Sequence, residues 1–562
     1  MSPKPPFTRT ARSGWLGHGA IRLKSLAVVG AVTLGLAGTA LVAALPVSAD
    51  PAENFIAIGS DTTENVMDFF AVNVGGGILG SYDAAAPVSQ SLGQIITPAV
   101  TGSGGNQLNC EYTRPNGSGQ GLKTLIWADT NGTAGFPTGL STGLNTNPGA
   151  GCVQLSRSSG GPGGTTVGGA GTAGSLDGTG NLVYIPFAID AVTYATGPVT
   201  ATPVTTQCVA ATTGCTNVGT NGNPPGIGTI SFTTTPTAIS QTLNLSQAQL
   251  TQLYGQCTTP TGTTLNPVGA SFAFTATSAS PAVFTATGSA FAAGQLVTLG
   301  GTLPGGFSTG TSYFVVNPSG ATFQLALTAG GTAINSTSTG TGTVDTPGNV
   351  DLYVPQPGSG TLSFWESKVG STNVVQPCWH QTIVAGPAAG ITVEEHDGSA
   401  IASDPNGIAP NSIAKWIGMN TGTVTPDVRH GSVLQSVTVG TAPNTTVVPP
   451  INGSGSMNIS GCVSGGAVSA CFPINREVYN VMDFYEVVSG STPPAGTLNN
   501  TAFNSVLGGL FTGAGSGLCT SGFMISQLGF GPMPTTGSTF ADQCGSTAST
   551  LRVQMNNTTA QG

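Results

Sequence analysis

The chain has 562 residues, too many for one ordinary core and enough for roughly two to four domains. Hydrophobic residues make up 39%, but charged residues only 6% against about 25% in an average domain, so solubility rests on Thr, Ser, Asn and exposed backbone rather than ion pairs. The formal charge is -9, and no Lys, Arg, Asp, Glu or His stands between Asp190 and Asp345, which excludes a basic footprint for nucleic acid there.

The N-terminus carries Lys4, Arg9, Arg12, Arg22 and Lys24 without an acidic residue, then the apolar run SLAVVGAVTLGLAGTALVAALP, then VSAD. That order predicts a signal peptide over residues 1–49, cut after Ala49. The alternative is an uncleaved membrane anchor, since the run is about long enough to span. The first cysteine is Cys110, so no N-terminal lipid is expected. Without the leader, eight basic residues face twenty-two acidic ones, and any bound anion must be held by local donors. Ten cysteines beyond the leader suit disulfides in an oxidising, extracytoplasmic setting. Spacing favours Cys208–Cys215, Cys462–Cys471 and Cys519–Cys544 and leaves Cys110–Cys152 and Cys257–Cys378 as remaining candidates, although sequence does not fix connectivity. No CxxC or Cys/His cluster has zinc spacing, and no metal or other cofactor is called for.

Residues 53–75, AENFIAIGSDTTENVMDFFAVNV, predict a strand, a Gly-Ser turn and a helix with an Asp61/Glu64 capping box. LNCEYTRPNGSGQGLKTLIW and DLYVPQPGSGTLSFWESKVG repeat the strand, turn and helix order. The strand-like NLVYIPFAIDAVTYA and ITVEEHDGSAIA, with the helical NLSQAQLTQLYG and NSIAKWIG, complete a mixed α/β pattern. Between about Val268 and Val344 the text alternates and is rich in turns, which predicts a small all-β insertion. VTLGGTLPGGFSTGTSYFVVN followed by TFQLALTAGGTAI resembles the short β-modules of phage tail and bacterial surface proteins. Gly/Thr-rich stretches at about 157–175, 198–227 and 435–456 read as loops or linkers. ENVMDFF and YNVMDFY echo each other, but their flanks do not repeat.

A helix N-terminus leaves its first amides unpaired and carries about half a positive charge, so a Gly-Ser turn there suits an oxyanion. One such turn also marks any capped helix. Gly59-Ser60, Gly117-Ser118 and Ser359-Gly360-Thr361 make three, able to converge on one tetrahedral anion. GSDTTENVM, YTRPNGSGQG, LSRSSGGP, LVYIPFAIDAVTYA, LSQAQLTQLYGQC, GSGTLSFW and HDGSAIASDPNGIAPNSIAKWI, with the late GLCTSGFMISQLGFGPMP and DQCG, occur in an order that resembles substrate-binding proteins of the phosphate-type ABC transporter.

The resemblance implies an α/β, two-lobed type 2 periplasmic-binding-protein fold with an inserted all-β domain. Its boundaries would be lobe 1 at 50–195, lobe 2 at 196–267, the β-module at 268–344, lobe 2 again at 345–474 and a return to lobe 1 with a tail at 475–562. It implies ligand turns at Ser60, Asp61 and Thr62, at Gly117 and Ser118, and at Ser359, Gly360 and Thr361. Two positions depart from the family: Pro355 stands where an arginine usually precedes the SGT turn, and Ser159 where an aspartate accepts the phosphate proton. Arg157 is the candidate to supply the missing cation, with an exposed loop arginine as the alternative, and Arg114 is a weaker candidate. The implied function is extracytoplasmic binding of phosphate or a related oxyanion and its delivery to an ABC permease. The rival is a secreted surface or matrix protein whose β-insertion binds a glycan or a protein.

No enzyme is expected. GLSTG at 139–143 and GFSTG at 306–310 lack the strand and helix a nucleophile elbow needs. His380, His396 and His430 lie far apart without a recognisable nucleophile or metal partner, and Glu394-Glu395-His396-Asp397, the densest charge cluster, reads as a strand edge with solvated charges, with cation coordination as the alternative.

Overall fold

The computed structural model describes residues 55–84, 94–101, 107–129, 153–162, 181–198, 204–208, 226–230, 243–371, 375–385, 388–441, 443–459, 462, 471–488, 504–534 and 543–554. The first stretch holds β1 (Phe55–Gly59), α1 (Glu64–Asn73), β2 (Leu79–Ser81), the hairpin β3 (Gln94–Thr101) and β4 (Gln107–Thr113), and α2 (Ser118–Asp129). Next come β5 (Leu155–Ser158), β6 (Asn181–Thr196), the hairpin β7 (Val204–Cys208) and β8 (Gly226–Ile230), and α3 (Gln247–Leu250), which continues as a wider π-turn over Thr251–Gly255. A run of strands follows: β9 (Val268–Ala276), β10 (Phe284–Ala286), β11 (Leu296–Thr302), β12 (Tyr313–Ser319), β13 (Thr322–Ala326) and β14 (Gly340–Pro347). Then come β15 (Asp351–Tyr353), α4 (Gly360–Val369), β16 (Trp379–His380), α5 (Ser399–Ser403), β17 (Gly407–Ser412), α6 (Ile413–Thr421) and β18 (Val433–Leu434). The hairpin β19 (Val437–Thr441) and β20 (Asn444–Val448), then β21 (Asn475–Asp483), β22 (Gly531–Pro532) and β23 (Arg552–Gln554), complete the strands.

The chain is mixed α/β, built on one large mixed sheet. Its central path is β16-β15-β17-β6-β21-β5-β1-β2, and β18, β22 and β23 pair with β6. The apolar run of β6 buries its residues from Val183 to Ala195 against the core, as expected of a strand covered on both faces. Its length gives it two sets of partners: Leu182 to Ala191 pair with β21, and Val192 to Thr196 pair with β17. β21 leads to β5 and β1 on one side, and β17 leads to β15 and β16 on the other. The switch of partner falls beside Asp190, which sits in register with Arg476 of β21.

The expected all-β segment is a closed six-stranded barrel in the order β10-β13-β12-β11-β14-β9, a closure that leaves no sheet edge. Alternation along its strands turns Phe274, Phe284, Val297, Leu299, Val315, Phe323, Leu325 and Val344 inward as a separate core. At its neck Asn349 N donates to Asn266 O at 2.8 Å, and Asn266 N donates to Asn349 Oδ1 at 2.6 Å. The disulfide Cys257–Cys378 joins the segments on either side of the neck. The barrel docks on β16: Ser312 Oγ lies 3.0 Å from His380 Nδ1, Gln381 N donates to Gly310 O at 2.9 Å, and His380 Nε2 is 3.4 Å from Asp351 Oδ1.

Several local expectations change. β4 is the expected strand, and it pairs with β3 in a separate two-stranded hairpin. The 435–456 stretch, read as a loop, holds the β19–β20 hairpin, which Thr438 docks by donating to Asn244 O and Leu245 O. α1 starts at Glu64 with Thr63 as N-cap, not at an Asp61/Glu64 box, since Asp61 pairs with Lys415 and Glu64 accepts from Ala84 N. ITVEEHDGSAIA is no strand but a turn leading into α5, whereas GFSTG lies in a turn of the barrel, in line with its missing strand and helix. Disulfides join Cys257–Cys378, Cys462–Cys471 and Cys519–Cys544, which suits an oxidising, extracytoplasmic environment. The leader at 1–49, GLSTG at 139–143, and Cys152 and Cys215, the expected partners of Cys110 and Cys208, lie outside the described residues. Among the described residues no helix is long and apolar enough to cross a membrane.

Candidate functional site

The floor of the site is the pair of strands β6 and β21. Arg476 donates to Asp190 Oδ2 from Nη2 at 2.8 Å and from Nε at 3.1 Å, and both side chains are buried. Asp190 Oδ1 also accepts from Ser412 Oγ at 2.8 Å and from Ala414 N at 3.1 Å, so the first turn of α6 closes on the same carboxylate. Ser412 caps α6 by accepting from Lys415 N. The guanidinium continues upward: Nη2 donates to Thr361 Oγ1 at 2.8 Å and reaches Thr62 Oγ1 at 3.5 Å, and Nη1 donates to Gly360 O at 3.3 Å.

Over this floor the first turns of α1, α2, α4 and α6 converge. Ser359 caps α4, accepting from Leu362 N at 3.1 Å, which leaves the amide of Thr361 free of the helix. Thr62 Oγ1 lies 3.4 Å from Thr361 Oγ1. Ser118, which opens α2, meets Ser159: their hydroxyls are 3.2 Å apart and Ser159 N donates to Ser118 Oγ at 3.0 Å. A Cβ on Gly360 would collide with both those hydroxyls, so glycine is what lets α4 approach α2 and the loop after β5. Gly117 has φ +97° and its backbone abuts Gly358 O, a conformation and a closeness that other residues resist. Ser60, Thr62, Ser118, Ser159, Ser359 and Thr361 are all buried.

The turn at 394–397 enters the same centre, against the expectation of a solvated strand edge. Glu395 and His396 are buried. Glu395 Oε1 accepts from Thr62 Oγ1 at 2.9 Å and from Thr361 N at 3.2 Å, and lies 3.3 Å from His396 Nε2. Ser412 N donates to His396 Nδ1 at 3.3 Å, which puts the ring proton on Nε2, facing Thr62 Oγ1 at 2.9 Å. Burial resists ionisation of Glu395, but His396 first, then the Thr361 side chain, with Arg476 nearby, outweigh it and hold its carboxyl below the ordinary range. Glu394 is pushed up to about 7 by burial, partly offset by the bond that Asn116 Nδ2 donates at 3.1 Å. Gln356 ties the turn down, accepting from Glu395 N at 2.9 Å and donating to Asn116 Oδ1 at 3.1 Å.

Ser60, Thr62, Gly117, Ser118, Ser159, Ser359, Gly360 and Thr361 therefore share one region, with Asp61 at its edge, where its Oδ1 accepts from Lys415 Nζ at 3.0 Å. Arg157 is neither an exposed loop arginine nor a cation facing that region. It is fully buried, donating to Ser60 O at 3.2 Å, Ser81 Oγ at 2.7 Å and Tyr82 O at 2.7 Å, and so props the Ser60 turn from behind. Arg114 donates to Asp83 O at 2.9 Å. Sequence reading missed Arg476, which stands beside the SGT turn although 115 residues separate it from Thr361, because β21 returns next to β6. The histidines, read without a nucleophile or metal partner, have hydrogen-bonding and acidic ones that sequence did not show: His396 as above, His380 between Ser312 and Asp351, and His430 3.3 Å from Asp397. The Ser312, His380 and Asp351 alignment is buried where barrel meets sheet and docks one on the other. A scan against family models and a search of curated proteins return no match for this chain.

Proposed function

We propose that this chain is an extracytoplasmic solute-binding protein of the two-lobed, phosphate type, holding phosphate or a related oxyanion between the two halves of its sheet and presenting it unchanged to an ABC permease. The observation that carries the reading is the convergence on one buried centre of four helix N-termini, the Thr62 and Thr361 hydroxyls and the Arg476 guanidinium. Positive ends of helices, hydroxyl donors and a fixed guanidinium are the donor set that oxyanions need. β6, with different partners along its two halves, gives such a protein a crossover about which lobes open and close. Arg476 takes the part left open by Pro355. Ser159 in place of an aspartate predicts weak discrimination between phosphate and sulfate.

A second reading is supported by the barrel: its closed, separate core suits a secreted surface protein in which that module recognises a glycan or a protein. Isothermal titration of the purified chain with phosphate, sulfate and arsenate decides between them. The first reading expects a measurable heat with phosphate, and about tenfold weaker binding in Thr361→Ala, since a hydrogen bond to a charged group is worth about 1.5–3 kcal/mol. No heat and no thermal shift at millimolar anion would leave the surface-protein reading.

A further inference from the structure

We infer that the Glu395 carboxylate is a built-in occupant of the oxyanion seat, which an external oxyanion must displace in order to bind; the inference rests on the oxyanion reading above. Glu395 Oε1 already takes the donors that a ligand oxygen would use: the free amide of Thr361 at the N-terminus of α4 at 3.2 Å and the Thr62 hydroxyl at 2.9 Å. His396 Nε2 stands 3.3 Å from the same oxygen. Arg476 reaches both threonine hydroxyls from below and completes the positive side of the seat.

The fit is incomplete in a way that points to a substitute. A carboxylate brings two oxygens, and here only Oε1 is held, while Oε2 is buried without a hydrogen-bond partner among the described residues. Ser60 Oγ, in the same turn as Thr62, is also buried without one. A group placed purely for stability would be expected to satisfy both oxygens, because an unpaired buried carboxylate oxygen is costly. A ligand with three or four oxygens has more acceptors to offer such donors.

The carboxylate also arrives on a connecting segment rather than within a helix or strand. It sits in a turn, beside His396 at φ +65°, the left-handed region that residues with a Cβ adopt reluctantly. Side-chain bonds from Gln356 and Asn116 hold that turn. A tethered competitor acts at high effective concentration and lowers the apparent affinity of a free ligand by the fraction of time it fills the seat.

The test compares the full wild-type chain with Glu395→Ala and Glu395→Gln. Titration with inorganic phosphate should show Glu395→Ala binding at least about tenfold tighter than wild type. Separately, millimolar acetate at fixed ionic strength, against a chloride control, should raise the melting temperature of Glu395→Ala and leave wild type unmoved, since acetate restores the missing carboxylate. Glu395→Gln, which fills the space without the charge, gives the same affinity comparison if the alanine variant does not fold. Equal or weaker phosphate binding in both variants, with no acetate effect, overturns the inference and leaves the oxyanion reading standing if wild type binds. Acetate rescue without phosphate binding to any of the three chains supports the occupant and sinks the uptake reading.

Discussion

Arg476 and Asp190 show how one cross-strand pair sets the chemistry above it. They face each other in register on β21 and β6, and each has a second duty: Asp190 accepts from the first turn of α6, and Arg476 donates to the first turn of α4. Neutralising either leaves the other buried and uncompensated, which costs about 3–5 kcal/mol, whereas exchanging both together costs far less. Arg476→Met should therefore destabilise the chain by about that much in urea unfolding, and Asp190→Asn in the same chain should recover a large part of it. Arg476→Lys should not restore the parent, because an ammonium cannot bridge a carboxylate, a carbonyl and two hydroxyls in one plane. If Arg476→Met unfolds like wild type, the pair does not organise the site. The same geometry explains why glycine stands at 360: the guanidinium fixes α4 from below while Ser118 and Ser159 close on it from the side.

At the scale of elements, context decides what local sequence leaves open. The tetrapeptide VMDF is helical at 66–69 in α1, but at 481–484 it runs through the end of β21 and opens a helix at Phe484, because β21 is hydrogen-bonded between β5 and β6. α1 also places Glu64 and Asp68 one turn apart, near Asp83. Burial first, then the neighbouring acids, push Glu64 up to about 7, and burial, then Glu64, do the same to Asp68. In the unfolded chain both ionise near pH 4. The folded chain thus holds more protons between those values, and its stability should fall as pH rises from about 5 to 7 and level off above. The melting temperature should be higher at pH 5 than at pH 7.5, and Asp68→Asn should raise the pH 7.5 value and flatten the profile. A melting temperature that climbs over this range would contradict the account. Below it Glu395 acts in the opposite sense, since its lowered value means stability is lost as the carboxylate is protonated. Strand, turn and helix order was legible at GSDTTENVM and GSGTLSFW, where apolar periodicity met a glycine or serine signal, but not at ITVEEHDGSAIA, which forms a turn. The charged partners were not, because Arg476, Lys415 and Glu395 reach the centre only through long-range pairing that leaves no mark on nearby sequence.

At the scale of the whole molecule, the barrel is an excursion from a sheet that is otherwise continuous, and its attachment predicts what happens without it. The chain leaves the body after α3 and its π-turn, and returns to form β15 in the large sheet. Departure and return touch: Asn266 and Asn349 exchange two hydrogen bonds, and Asn349 Nδ2 adds a third to Thr264 O at 2.8 Å. Cutting out residues 268–347 would therefore leave two ends already held together, so a short turn can join them with little loop-closure cost. The barrel keeps its own core, sharing few apolar groups with the body. What the body loses is the docking surface: the Ser312 bond to His380, the Gly310 bond to Gln381 and the cover over Pro377. His380 keeps Asp351 as a partner, so its ring is not stranded. A chain with 268–347 replaced by a two-residue turn should unfold in one cooperative transition, with Cys257–Cys378 still formed and a melting temperature lower by only a few degrees, the usual shift for about 1 kcal/mol in a chain this large. Its anion response should match that of the full chain, because no barrel residue reaches Thr62, Thr361 or Arg476 among the described contacts. Loss of the cooperative transition, or of Cys257–Cys378, would mean that the barrel is part of the body's folding unit. Retention of folding with loss of anion response would instead make the barrel a participant in the site.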